Sequence, residues 1–206
     1  MARGKLITIE GLDGAGKTTL ALALLDALRS RDVDARLLRE PGGVRAAELI
    51  RGLVKDPELQ IAARTEALLY AAARAQLVDE ALVPLLEDGV CVLLDRFVDS
   101  SLAYQGAGRE LGIEPVREIN EFATGGLTPD LTLLLEVEPA ISRGRARGRE
   151  TPPDRLELES DPFFARIARA YRELATAHPD RIRTIDASQT PERVLAEAWA
   201  AVEDLV

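Results

Sequence analysis

Gly11-Leu12-Asp13-Gly14-Ala15-Gly16-Lys17-Thr18 follows the apolar run Leu6–Glu10 and opens Lys17–Arg29, where Leu20, Leu24 and Leu28 recur at spacing four. The order is strand, glycine-rich turn, amphipathic helix, and the turn fits GxxxxGK[ST] in full. Glycines let a backbone wrap an anion at low steric cost. Backbone N–H groups and the helix N-terminus present positive potential to it. Lys17 adds a point charge over β/γ-phosphates, and the Thr18 hydroxyl can ligate Mg²⁺. The stretch therefore predicts a nucleotide-phosphate cradle at the end of the first strand of an α/β sheet.

Working outward, short apolar runs alternate with helical periodicity, which predicts a parallel α/β sheet. Candidate strands are 6–10, 35–39, 90–95, 131–137 and 181–186. Several are continuous apolar runs, as expected for strands covered on both faces. Helices are expected at 17–29, 64–87, 115–123, 140–149, 162–177 and 191–206, with Pro84 kinking or ending the second. Thr190-Pro191-Glu192 supplies a cap, a first-position proline and a first-turn acid. Leu195 and Trp199, four apart, are expected in the core.

The 206 residues suit one domain with a small lid, and 47% apolar with 30% charged residues describes a globular chain. No run reaches the ~18 apolar residues of a membrane span, and the first strand is too brief for a secretory signal. The lone Cys91 lies in an apolar run and reads as a buried strand thiol. His178, before Pro179, reads as a surface residue. A net charge of −9 argues against a general nucleic-acid binder. An anionic substrate must then be drawn by a local cluster of cations.

The cradle alone does not fix the reaction. Lysine occurs only at positions 5, 17 and 55, and none stands in the Asn/Thr-Lys-x-Asp setting that reads guanine. No Leu-Ser-Gly-Gly segment of a transporter ATPase occurs. Val90–Leu94 ends in Asp95-Arg96. At a strand C-terminus in a parallel sheet, Asp95 can orient Mg²⁺ and Arg96 can fork two phosphate oxygens. A structural ion pair capping the strand would explain the same two residues, and the neighbouring cradle favours the functional reading. A kinase, another nucleotide kinase of the same fold and a nucleotide-binding switch without transfer remain the contenders.

Asp95-Arg96-Phe97-Val98-Asp99-Ser100-Ser101-Leu102-Ala103-Tyr104-Gln105-Gly106 resembles the DR[YFH]xxSxxAYQG signature of bacterial thymidylate kinases. Arg39-Glu40-Pro41-Gly42-Gly43 resembles their REPGG segment, and Glu66–Gln76 their E-x-L-L-[FY]-x-A-x-R-x-Q helix. Thr128–Thr132 and Asp154-Arg155-Leu156-Glu157 resemble the approach to the fourth strand and the end of the lid. Tyr70 stands where Phe is usual, and Val44 where Thr is common.

The resemblance implies a single P-loop NTPase domain over 1–206: five parallel strands, helices on both faces and a short Arg-rich lid at about 143–157. It implies phosphoryl transfer from Mg-ATP to dTMP, giving dTDP, by a cytoplasmic homodimer. Gly11–Thr19 and Arg143 would hold ATP, with adenine near the Asp186–Gln189 loop, and Thr18 and Asp95 the Mg²⁺. Arg39, Pro41 and Arg96 would hold the acceptor phosphate side. Tyr70 would stack on the base, Arg74 would reach its O4, and Ser101 and Gln105 would make polar contacts. Tyr104 would disfavour a ribose hydroxyl, and Asp13 would contact the sugar and organise the magnesium site. Gly14 and Ala15 leave the cradle without an arginine, as in the branch whose catalytic arginine comes from the lid. Arg143, Arg145, Arg147 and Arg149 alternate there with small residues. Arg147 or Arg149 is the expected finger.

Overall fold

The computed structural model describes residues 3–148 and 152–206, with backbone only at Ala146 and Arg147. Five parallel strands, β1 (Leu6–Gly11), β2 (Ala35–Arg39), β3 (Cys91–Asp95), β4 (Leu131–Glu136) and β5 (Ile182–Asp186), lie in the order β2-β3-β1-β4-β5. Every expected strand is present within one residue of its expected ends. β1 is central, with Ile9 paired to Asp95 of β3 and Gly11 to Leu135 of β4. Strand order reverses beside β1, so the C-terminal ends of β1 and β3 open on a crevice.

Side-chain alternation splits the core. Ile7, Ile9, Leu93, Leu133 and Ile185 face α1 (Lys17–Arg29) and α9 (Pro191–Val202), where they meet Leu24, Leu28, Val194 and Ala198. Leu6, Val92 and Leu94 face the opposite way, onto Leu77, Leu82 and Leu86. Leu134 on that side meets Phe163, Ile167 and Tyr171 of α8 (Asp161–Ala177). Each fully buried leucine contributes about 2 kcal/mol relative to exposure. Leu195 and Trp199 pack against the first cluster while remaining partly exposed, and the Arg31 guanidinium lies 3.9 Å above the Trp199 ring.

Three helical features differ from expectation. α3 (Ala63–Leu77) widens into a π-helical turn at Val78–Leu82 and then resumes as α4 (Val83–Glu87). The widened turn opens the backbone just where the Pro84 ring would strike the carbonyl four residues back. The helix therefore passes through Pro84 instead of ending there. α2 (Arg45–Lys55) buries Ala47 and Val54 while exposing Leu49 and Leu53. Ala46, Ala47, Ile50, Leu53 and Val54 recur at helical spacing, while Gly52 at its centre costs about 1 kcal/mol relative to Ala. α5 (Val98–Ser101) is continued by a π-helical stretch Leu102–Gly108, rich in small residues, which is held by packing on α8. A Cβ on Gly108 would lie 2.8 Å from the Phe163 ring, so the close approach requires glycine. α6 (Ile113–Thr124) and α7 (Pro139–Arg147) complete the chain, and α9 stops at Val202, short of the expected Val206. No helix among the described residues is long and apolar enough to cross a membrane.

Cys91 is buried, and desolvation, with Asp130 nearby, pushes its thiol up to about 11. We expect no reaction with a thiol reagent at pH 8 in the native state and one equivalent in denaturant. Rapid native labelling would contradict this burial.

Candidate active site

The cradle begins where β1 runs out. At Gly11 (φ +136°) an added Cβ would lie 2.5 Å from the Leu135 carbonyl oxygen. At Gly16 (φ +98°) there is ample space, so the left-handed backbone is what selects glycine. α1 starts at Lys17 with no capping side chain and no acid in its first turn. Its first N–H groups therefore face the crevice unneutralised, which suits an anion. Lys17 is buried and donates from Nζ to the carbonyls of Gly11 (3.2 Å) and Leu12 (2.9 Å). Burial, reinforced by Arg96, lowers its pKa to about 8 against the pull of Asp13 and Asp95. A polyanion would reverse that shift by stabilising the ammonium.

β3 delivers the opposing cation. Arg96 has φ 73°, an unusual value for a residue with a side chain. The turn aims its guanidinium back over the cradle, where Nη1 donates to Gly11 O at 3.0 Å and Nη2 to Asp13 Oδ1 at 2.7 Å. Nη2 also reaches the Tyr104 hydroxyl at 3.2 Å, and that hydroxyl donates to Asp13 Oδ2 at 3.1 Å. Burial would raise the Asp13 pKa, but Arg96 and then Lys17 hold it well below the usual carboxylate range. Thr18 Oγ1 donates to Asp95 Oδ2 at 3.2 Å, beside the same loop. One hydroxyl and one carboxylate fit Mg²⁺, which takes few protein ligands and completes its octahedron with phosphates and water.

A cleft of about 950 Å³ runs from this junction in two directions. Asp13–Thr19 line its floor; Gly11 and Leu12 lie beneath, serving Lys17 with their carbonyls. On one side stand Tyr70, Ser101, Tyr104 and Gln105, with Arg39 and Pro41 opposite. Arg39 is exposed and paired to Glu48 at 3.1 Å. Gln105 donates to buried Glu66 at 2.9 Å.

Arg74 is not among the residues lining the cleft. It is 1% exposed, and its guanidinium makes four hydrogen bonds and an ion pair within the protein. Nε donates to Glu40 at 2.7 Å, and Nη1 to Ser101 Oγ at 2.9 Å and to Asn120 Oδ1. Nη2 bonds Phe97 O at 2.9 Å and pairs with Glu40 at 2.6 Å. Arg74 thus stands behind Ser101, one layer from the cavity. Glu40 does line the cleft, and its buried Oε1 has no hydrogen-bond partner among the described residues. Burial, opposed by Arg74, raises its pKa to about 7.

The lid helix α7 is tied to the cradle by Ser142, whose hydroxyl donates to Asp13 O at 2.5 Å. Arg143 turns away, over the Phe164 ring and onto Asp161, and does not line the cleft. Arg145 does line it and donates to Ala187 O at 2.9 Å. Arg149 lies outside the described residues, as does the side chain of Arg147. Beyond the lid, Asp154 pairs with Lys55 at 2.7 Å, and Arg155 pairs with Glu66 at 2.6 Å.

Two cleft cations escaped the sequence reading. Arg51, which donates to Pro41 O at 2.8 Å, and Lys55 both ride on α2, a helix absent from the expected set. Their spacing of four on one helix was the available signal.

The family model for thymidylate kinase matches residues 9–198. A thymidylate kinase of Ligilactobacillus salivarius is 45% identical, covering 98% of this chain and 99% of that protein. One from Deinococcus radiodurans is 46% identical, covering 99% and 98%. The crystal structure of thymidylate kinase from Ehrlichia chaffeensis superposes with TM-score 0.81 at 25% identity, covering 98% of this chain and 99% of that one. The chain therefore belongs to the thymidylate kinase family, P-loop NTPases in fold, which phosphorylate dTMP to dTDP with ATP.

Proposed function

We propose that the cleft grips two phosphate chains head to head, the ATP chain in the Gly11–Thr19 cradle and the dTMP phosphate between Arg39 and Arg96. The observation that carries this assignment is the Arg96 guanidinium, fixed to Asp13 at 2.7 Å directly across from Lys17. Both cations face the point where a γ-phosphoryl group would change hands. No side-chain nucleophile is needed: an oxygen of the acceptor phosphate attacks in line, and catalysis is positioning plus charge stabilisation. Thr18 and Asp95 would hold Mg²⁺, which supplies charge neutralisation at the β/γ oxygens.

Tyr70 is assigned as the stacking platform for the pyrimidine, Ser101 and Gln105 as its polar neighbours, and Tyr104 as the guard at the sugar's 2′ carbon. Arg74 acts on the base by holding Ser101, and reaches the base only by giving up one of its present acceptors. Arg145, beside Ala187, favours seating adenine near the Asp186–Gln189 loop. Arg147 or Arg149 is assigned as the lid finger, within a single kinase domain whose lid spans about 143–157. Arg143, stacked on Phe164, would have to swing to touch ATP.

The chain is further read as a cytoplasmic homodimer. α2 packs on α3 and α3 on α6, and this layer exposes Leu49, Leu53, Leu68 and Phe122, the last at 92%. Covering such apolar area by a second copy is favourable.

An ADP-release assay with dTMP, dUMP, UMP and thymidine tests the reading. Turnover should be greatest with dTMP and absent with thymidine; preference for UMP or thymidine would overturn it. Lys17→Ala and Arg96→Ala should each lower kcat by about 10²–10³-fold with the fold retained. Near-wild-type rates would reject their roles. Arg74→Ala strands the Glu40 carboxylate in the interior and should cost about 3 kcal/mol in urea unfolding. It should also raise KM for dTMP more than for ATP; equal rises would count against a role at the base. Tyr104→Phe should weaken discrimination against UMP, and unchanged selectivity would remove that gate. Sedimentation should give twice the 22.4 kDa chain mass, and Phe122→Asp should give a monomer.

A further inference from the structure

We propose that Glu10, at the end of β1, is the positioning residue that sets the aim of Arg96. The proposal rests on the reading of Arg96 given above and concerns a residue that reading does not use.

Glu10 is 0% exposed, and an isolated carboxylate there would cost several kcal/mol. Its partners explain its presence. Oε1 accepts the backbone N–H of Phe97 at 2.7 Å and of Ser100 at 3.2 Å. Oε2 accepts the hydroxyls of Ser100 at 2.5 Å and Tyr171 at 2.9 Å. Phe97 and Ser100 bracket the start of α5, and the cap position is Phe97, whose side chain cannot accept a bond. Glu10 therefore caps α5 from another strand, taking the open N–H of Phe97 and sharing that of Ser100 with the Phe97 carbonyl.

The same contacts hold the turn. Arg96 is a non-glycine residue at φ 73°, a conformation that persists only where its surroundings enforce it. Its own N–H is bound to Ile9 O at 3.0 Å, and the next N–H, of Phe97, is bound to Glu10 Oε1 at 2.7 Å. Consecutive residues of β1 thus pin the peptide groups on both sides of the Arg96 Cα. A third link reaches the side chain: Ser100 donates its hydroxyl to Glu10 and, with a lone pair, accepts Arg96 Nη1 at 3.0 Å. Because that hydroxyl proton is committed to Glu10, the Ser100 oxygen is left as a pure acceptor toward the guanidinium. Glu10 itself lies one layer behind the cleft, where it does not line the cavity.

Glu10→Gln keeps the shape but puts an amide where an acceptor stood, so the Ser100 hydroxyl must turn and compete with Arg96. Steady-state kinetics should give kcat lower by about 10–100-fold, a raised KM for dTMP and a KM for ATP within about twofold of wild type. A core polar group with only a structural role would lower the melting temperature without splitting the constants this way. A folded Glu10→Gln enzyme with kcat within about twofold of wild type overturns the proposal. If that variant does not fold, Ser100→Ala decides, since it keeps both backbone bonds and removes the relay together with the 3.0 Å contact to the Tyr171 hydroxyl. Its kcat should fall several-fold with little change in melting temperature, and an unchanged kcat overturns the proposal. Where both fold, the double variant should be no slower than Glu10→Gln, and additive losses count against the relay. Arg96→Ala separates the two levels: an active Arg96→Ala enzyme defeats the underlying reading, whereas a slow one beside a normal Glu10→Gln enzyme defeats this inference alone.

Discussion

The partly buried ion pair between Arg96 and Asp13, at 2.7 Å, is the interaction on which the site depends. It joins the end of β3 to the glycine-rich turn after β1, two points far apart in sequence and adjacent in the sheet. Without Asp13, a guanidinium confined beside the Lys17 ammonium would be repelled from the crevice. With it, the two cations are held side by side where a phosphate chain can complete them. The parallel register that sets Ile9 beside Asp95 is what makes the pair geometrically available.

Arginine carries the same logic behind the cleft. Arg74 ties Glu40, Ser101, Asn120 and Phe97 together, so α3, the turn after β2, α5 and α6 share one buried knot. Glu66, fully buried, takes Arg109 and Arg155 as well as Gln105, and so connects the base side of the cleft to the segment after the lid. Asp99 does likewise with Arg181 and Thr132 under β4 and β5. A planar fork with five donors can satisfy several acceptors at once, which a lysine cannot. That chemistry selects arginine at positions 74, 109, 155 and 181. It also reconciles a net charge of −9 with an anion-binding centre, because the cations are concentrated where they act.

The strands and the cradle were legible because their causes are local. Strands covered on both faces must be apolar throughout, and a turn around phosphate must be glycine-rich. The motif residues Lys17, Thr18, Asp95, Arg96 and Tyr104 converge on one cleft as their types and order suggested. What escaped depends on distant partners. The Gly-rich Leu102–Gly108 stretch is helical only because α8 supports it, and α2, amphipathic but carrying Gly52 at its centre, brings Arg51 and Lys55 into the cleft. Two residues four apart share a helix face, yet Tyr70 meets the cavity while Arg74 is drawn behind Ser101 by Glu40 and Asn120. Glu10 reads as an ordinary acid at a strand end, and nothing in its neighbourhood announces the helix start 87 residues later that it caps.

A crystal structure with dTMP and a non-hydrolysable ATP analogue tests the central claim most directly. The account predicts the analogue's phosphates within the Gly11–Thr18 turn, the dTMP phosphate on Arg96 with the Asp13 contact retained, and the pyrimidine against Tyr70. A glycine-rich turn without phosphate, or a pyrimidine seated away from Tyr70 and Ser101, would contradict it.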